Sequence, residues 1–293
     1  MKVISGPASN ELAENVSNIT GYQKVPVVSK IFPDGESYVR LDGNVSGENI
    51  AIIQTTCPPM QDSRFFQLAF MADAAKRAGA NKITAVVPYF AYARQDKLFL
   101  SGEGISVGTI ARILRSAGID DLLTVNIHSE PSLAEFPFLA KSASAISLLA
   151  EYFVEKGHGK AYALAPDKGA MYIAQEAQQV LGGGVGHLSK VRDRYTGQTT
   201  QSAEGLDVKG QTVIIFDDII STGGTIVGAA KILKEQGAER IFTACVHPLL
   251  IGDAANRILD AGVEEIVGTD SVPGLYSKVS LAPLISKQLK GAI

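Results

Sequence analysis

The sequence predicts an α/β protein of two similar domains, each a mostly parallel sheet flanked by helices. Three observations carry that expectation. Short apolar runs bounded by turn residues alternate with longer runs of helical periodicity along the whole chain, as in parallel sheets covered by crossover helices. At 293 residues the chain exceeds what one hydrophobic core ordinarily organises. Residues 68–89, LAFMADAAKRAGANKITAVVPY, are also laid out like residues 227–248, VGAAKILKEQGAERIFTACVHP. Each is a helix closing on Gly-Ala, a charged residue, and a strand that reaches proline. Such a repeat points to duplication of one α/β unit.

Strands are expected near 2–5, 25–28, 50–54, 82–87, 122–126, 161–165, 212–216, 241–246 and 265–268. Helical spacing is clearest at 64–79, 107–118, 145–157 and 226–237. Each of these four segments closes on glycine, the usual helix stop. The alternation lapses between Pro137 and Ala145, where small residues cluster, so the domains are expected at 1–141 and 142–293. The tail SLAPLISKQLKGAI has helical spacing and is expected to fold back on the first domain.

Composition removes several classes of function. Hydrophobic residues make up 46%, enough to fill two cores, and the net charge of −3 gives no electrostatic case for nucleic acid. No run of 18 apolar residues predicts a membrane span. The first fifteen residues, MKVISGPASNELAEN, lack the apolar core of a secretory signal. Cys57 and Cys245 are the only cysteines, and neither has a metal-ligand partner nearby in sequence. That usage fits a reducing, cytoplasmic location.

The most informative segment is TVIIFDDIISTGGTIVGAAKIL, residues 212–233. An apolar run meets two adjacent carboxylates, Asp217 and Asp218. The small, hydroxyl-rich turn Ser221-Thr222-Gly223-Gly224-Thr225 follows, and then a helix. Unpaired amides at a helix N-terminus suit a phosphate. Two acids beside a bare phosphate would repel it, so the ligand should present hydroxyls or a metal on that side. A sugar phosphate has both ends.

Ligands of open parallel sheets sit beyond the carboxyl ends of the strands, and chargeable groups recur there. Asp34 and Glu36 follow the 25–28 run, and Arg94, Gln95 and Asp96 follow 82–87. His128 follows 122–126, and Asp167 follows 161–165. His247, also at a strand end, reads as structural. The polar stretch 187–205 has little apolar periodicity, and uncovered loops of that length often act as lids. Within it Lys190 and Arg192 lie two apart and would project together from an extended segment.

FPDGE at 32–36, ARQDK at 93–97, His128, PDKGA at 166–170, KVR at 190–192 and DDIISTGGT at 217–225 together resemble the ribose-phosphate pyrophosphokinases, also called phosphoribosyl pyrophosphate synthetases. The likeness runs the length of the chain. The last motif alone would indicate only the wider phosphoribosyltransferase superfamily. The resemblance implies two phosphoribosyltransferase-type domains related by pseudo-symmetry and a homo-oligomer built from dimers. It implies that the anomeric hydroxyl of ribose 5-phosphate attacks the β-phosphorus of Mg·ATP, and that AMP leaves.

It also implies roles for particular residues. Phe32 would pack on adenine, with Asp34, Gly35 and Glu36 of the same turn at its polar edge. Arg94 and Gln95 would contact the nucleotide. Asp217, Asp218 and the turn Ser221, Thr222, Gly223, Gly224 and Thr225, with Arg192, would hold ribose 5-phosphate. His128 and Asp167 would stand near Mg²⁺. Lys190 and Arg192 would stabilise charge on the transferring phosphoryl group, since phosphoryl transfer needs mainly positioning and positive charge. Two positions depart from the common pattern. Ser221 and Asn126 stand where many members carry an acid, and a hydroxyl at 221 can still donate to phosphate. A single-domain phosphoribosyltransferase would bind the same sugar phosphate but lack the FPDGE and ARQDK pair.

Overall fold

A computed structural model describes residues 1–192, 199–202 and 206–291, with side chains outside the description at 190–192 and 199–202. The chain forms two compact units, Met1–Ser144 with Ser280–Ile293, and Ala145–Val279. The division falls a few residues beyond the expected 141/142 because a short strand occupies Leu139–Ala143.

In the first unit the strands β1 (Lys2–Ser5), β2 (Gln23–Val25), β5 (Asn49–Ile53), β6 (Lys82–Val87), β7 (Asp121–Val125) and β8 (Leu139–Ala143) form one sheet. Its order is β2-β1-β5-β6-β7-β8. The helices α1 (Asn10–Thr20), α2 (Gln61–Arg77) and α3 (Ser106–Ser116) connect its strands. Between β2 and β5 the chain makes an antiparallel ribbon of β3 (Val27–Ile31) and β4 (Ser37–Leu41).

In the second unit the sheet comprises β9 (Tyr162–Ala165), β10 (Val185–His187), β13 (Thr212–Ile220), β14 (Arg240–Pro248), β15 (Ile266–Thr269) and β16 (Ser277–Val279). Its order is β10-β9-β13-β14-β15-β16. Its helices are α4 (Ile146–Glu155), α5 (Met171–Leu181), α6 (Gly224–Glu235) and α7 (Ala254–Asp260). A second antiparallel ribbon, β11 (Ser189–Arg192) with β12 (Thr199–Ser202), leaves between β10 and β13. Counted within each unit, the sheet order is the same, with a ribbon inserted at the same place. The repeated segments read from sequence are α2–β6 and α6–β14, which occupy equivalent positions. Every pairing between strands of the two large sheets is parallel.

Parallel strands covered on both faces read as continuous apolar runs, and the cores follow. Ile50, Ile52, Ile53, Ile83 and Val86 are fully buried in the first unit. In the second, Leu164, Val213, Ile215, Ile226, Leu233 and Ile258 belong to one buried cluster. The four glycine stops, Gly79, Gly118, Gly157 and Gly237, all take left-handed backbone, which a Cβ disfavours. The final helix, α8 (Ala282–Lys290), groups with the first unit, and the Lys290 ammonium donates to the Ile19 carbonyl in α1 at 3.0 Å.

Three expectations differ from the structure in ways that move site residues. The run 25–28 is not one strand. Val25 ends β2, Pro26 has no N–H to give the ladder, and Val27 opens β3. FPDGE therefore caps a ribbon instead of following a sheet strand. β13 does not stop at Phe216 but runs to Ile220, pairing with β14 as far as Pro248, so Asp217 and Asp218 lie inside the strand. β7 ends at Val125, and Asn126 already has positive φ. The strands β8, β10 and β16 are short edge pieces, three to five residues long, too brief for periodicity to show.

Candidate active site

The segment 217–225 is built where β13 hands over to α6. Gly223 is the N-cap of α6 in left-handed conformation, φ 76°. A Cβ there would also lie 2.9 Å from Ile258 Cδ1, so backbone and packing both call for glycine. No side chain caps the helix, and the first amides of a helix have no acceptor within it. A Cβ at Gly224 would meet nothing within 4 Å, and Thr222, Gly224 and Thr225 are exposed. The turn is anchored from behind. Ile251 N–H donates to the Ser221 carbonyl at 3.0 Å, and the Arg257 guanidinium in α7 donates to the Thr222 carbonyl at 2.9 Å. The result is an open, positively polarised cradle.

Just upstream, the Asp217 carboxylate accepts from the Asp218 N–H at 2.9 Å, and that of Asp218 accepts from the Ile219 N–H at 2.8 Å. Burial, the neighbouring Asp218 and then Asp167 push the Asp217 carboxyl well above the usual carboxylate range. Burial above all, and Asp217 in the adjacent register position, push the Cys245 thiol up as well. Asp167 sits at the end of β9, the neighbour of β13, where its carboxylate accepts from the amides of Gly169 and Ala170 at 2.9 and 3.3 Å. The structure thus brings together Asp167, Asp217, Asp218 and the 221–225 turn. His247 is buried, its Nδ1 2.9 Å from the Ser271 hydroxyl.

In the first unit, FPDGE is a tight ribbon turn. Gly35 N–H donates to the Phe32 carbonyl at 2.9 Å, Phe32 N–H to that of Glu36 at 2.8 Å, and Glu36 N–H to the Asp34 carboxylate at 3.1 Å. Phe32 stays exposed, edge-on to Tyr38 with the Lys30 ammonium 4.4 Å from its ring centre. ARQDK lies in the loop after β6. Its Asp96 carboxylate accepts from the Ser129 hydroxyl at 2.5 Å. That bond, above the smaller influences of Lys97 and His128, holds Asp96 below its ordinary range. Arg94–Asp96 and the exposed His128 therefore share one edge of the sheet.

Lys190 and Arg192 stand in β11, opposite Gln201 and Thr199 of β12; their side chains, and residues 193–198 and 203–205 of the expected lid, lie outside the described residues. Sequence reading did not single out Arg257, Asp62, Tyr92 or Ser129. Arg257 lies 32 positions beyond Thr225 in an ordinary amphipathic stretch, and nothing local marks it.

Comparison with known proteins decides the family. Residues 1–118 match the model for the N-terminal domain of ribose phosphate pyrophosphokinase, and residues 141–272 match the phosphoribosyl transferase domain. The chain belongs to the ribose-phosphate pyrophosphokinase family. It is 41% identical to the ribose-phosphate pyrophosphokinase of Methanobrevibacter smithii, over 98% of this chain and 99% of that one. It is 39% identical to that of Methanothermobacter thermautotrophicus, over 98% and 99%. The crystal structure of phosphoribosylpyrophosphate synthetase from Mycobacterium smegmatis superposes with a TM-score of 0.88 at 30% identity, covering 99% of this chain and 97% of that one. A ribose-phosphate pyrophosphokinase fold thus underlies both cradle and ribbons. No helix among the described residues is long and apolar enough to cross a membrane.

Proposed function

We propose that this chain transfers the diphosphoryl group of Mg·ATP to the anomeric hydroxyl of ribose 5-phosphate, giving 5-phosphoribosyl 1-diphosphate and AMP. The main support is the pairing of an uncapped helix N-terminus at Gly223–Gly224 with the acid pair Asp217 and Asp218, within a member of this family. The amides and hydroxyls of Ser221 to Thr225 bind the 5-phosphate. Asp217 and Asp218 accept from the ribose hydroxyls and orient the ring. A bound phosphate also completes the orphan amides of α6, so affinity does not depend on one side chain.

Phe32, Asp34, Gly35, Glu36, Arg94 and Gln95 bind the nucleotide. Lys190 and Arg192, on the β11–β12 ribbon, place positive charge on the phosphoryl group, and Arg192 also meets the sugar phosphate. Among the described residues no three His, Cys, Asp or Glu side chains form a metal cage. Mg²⁺ typically uses one or two carboxylates and the substrate's own phosphates. Burial first, and then the like charges of Asp218 and Asp167, raise Asp217; the like-charge part is what a divalent cation would relieve. Asp167 would be the oxygen ligand to hold it, and His128, an imidazole, would act through water. Bound Mg²⁺ would neutralise phosphate charge and orient the chain of phosphates. The enzyme works in the cytoplasm as a homo-oligomer built from dimers, with no nucleic-acid or membrane partner.

Incubation of the chain with ribose 5-phosphate and Mg·ATP tests the reading. The expected result is AMP in equal amount to a phosphoribosyl diphosphate. ADP with a singly phosphorylated product would indicate a simple kinase and sink it.

A further inference from the structure

We infer that Asp62 and Ser129 are positioning residues that clamp the 88–97 loop on either side of Arg94 and Gln95. The inference rests on the nucleotide role proposed for that pair. The loop leaves β6 and is first tied to the turn after β5. The Thr56 hydroxyl donates to the Tyr89 carbonyl at 2.7 Å and accepts from the Ala91 N–H at 2.9 Å. The chain then reverses at Tyr92, whose φ of 67° is uncommon for a bulky aromatic residue. Such a conformation persists only where its surroundings hold it, and three contacts do so. The Tyr92 hydroxyl donates to the Asp62 carboxylate in the first turn of α2. Its ring packs on Phe65, centres 6.0 Å apart. Its carbonyl accepts from the Gln95 N–H at 3.0 Å.

Four residues on, the Ser129 hydroxyl grips Asp96 at 2.5 Å. Arg94 and Gln95 are thus slung between a clamp on α2 and a clamp on the residue after His128. Neither Asp62 nor Ser129 belongs to the motifs that mark the site. Each acts through a neighbour in the loop: Asp62 through Tyr92, and Ser129 through Asp96. A preorganised loop binds better because less ordering is needed on binding.

The test is direct binding of a non-hydrolysable ATP analogue with MgCl2 to the full chain, by calorimetry and without ribose 5-phosphate. Steady-state constants and melting curves accompany it. Tyr92→Phe, Asp62→Ala and Ser129→Ala should each weaken analogue binding roughly tenfold, the scale of a hydrogen bond to a charged group. The KM for ribose 5-phosphate should stay within about twofold. Asp62→Ala combined with Tyr92→Phe should be no worse than either alone, since both cut one bond. Asp62→Ala with Ser129→Ala should multiply. Asp62→Asn and Ser129→Thr keep the acceptor and the donor, and should restore most of the affinity. Unchanged analogue binding in the three single variants would overturn the clamps. So would losses that merely track a lower melting temperature and raise both KM values alike. A native chain that takes up no analogue would remove the nucleotide reading itself, and the clamps with it.

Discussion

In the first unit the chain leaves β5 through Gln54, Thr55 and Thr56 and enters α2 past Pro58–Pro59. In the second it leaves β13 through Ser221 and Thr222 and enters α6 at Gly223. The two turns stand at the same point of the same sheet order, and they spend their polar groups differently. Gln54, Thr55 and Thr56 are completely buried. The Gln54 side chain accepts from the Ala8 N–H, the Thr55 N–H donates to the Ser9 hydroxyl, and Thr56 bonds to Tyr89 and Ala91. That turn is occupied by its own protein. In the second unit Thr222, Gly224 and Thr225 face solvent, and the anchoring bonds come from behind, to the carbonyls of Ser221 and Thr222. The forward side is left for a ligand. A duplicated scaffold supplies the position; turn chemistry decides whether that position binds anything.

The largest effect that bears on this contrast belongs to the second unit's ribbon. Lys190→Ala should lower kcat by roughly 10²- to 10³-fold, as for loss of one charge-stabilising group, while ATP affinity changes little. Lost ATP binding with normal turnover would assign that ribbon to the nucleotide instead. Next, Gly223→Ala forces a Cβ against Ile258 at a left-handed residue. The KM for ribose 5-phosphate should rise roughly 10- to 100-fold, the range for losing one or two charge-assisted bonds. An unaltered constant would mean the cradle is not where the phosphate sits. Asp217→Asn should raise the same constant roughly tenfold and leave that for ATP alone. If only the ATP constant moves, the subsites are reversed.

The first unit's turn predicts the opposite behaviour. Thr56→Val should cost about 1–3 kcal/mol in denaturant unfolding, because it strips partners from a buried loop. It should not move the ribose 5-phosphate constant, and a selective rise there would erase the contrast. The smallest effect concerns pH. The folded-state pKa of Asp217 is raised. Its contribution is fully favourable only below the ordinary carboxylate range and is lost as pH rises through the raised value. Asp217→Asn should therefore melt higher than the native chain at neutral pH, with the gain shrinking on acidification. A variant that melts lower at pH 7 would show that the carboxylate stabilises its own fold.

Much of the proposed site stands out in the sequence because its chemistry is local. Phosphate capture needs glycine and hydroxyls directly at a helix start, so Ser221 to Thr225 announce themselves in five consecutive positions. FPDGE is likewise a self-contained turn, and its internal bonds are those its letters suggest. The errors have one cause. Val25 and Val27 read as one run, because alternation and apolarity cannot say where a strand changes its partner. Ile219 and Ile220 fell outside the expected strand, which closed at 216, because only the long β14 alongside carries the ladder through them.

The sequence alone determined the alternation of strands and helices, the repeat, and the identity of the groups offered to a ligand, since each depends on neighbours a few residues away. Tertiary structure decided which groups remain available. Gln54 and Thr56 are consumed by segments 33 to 46 residues distant, Asp62 and Ser129 reach the same loop from opposite directions, and Asp217 is charged or not according to what is packed beside it. Hydrogen-bond satisfaction and desolvation are summed over three-dimensional neighbours, and the linear order of residues does not list them.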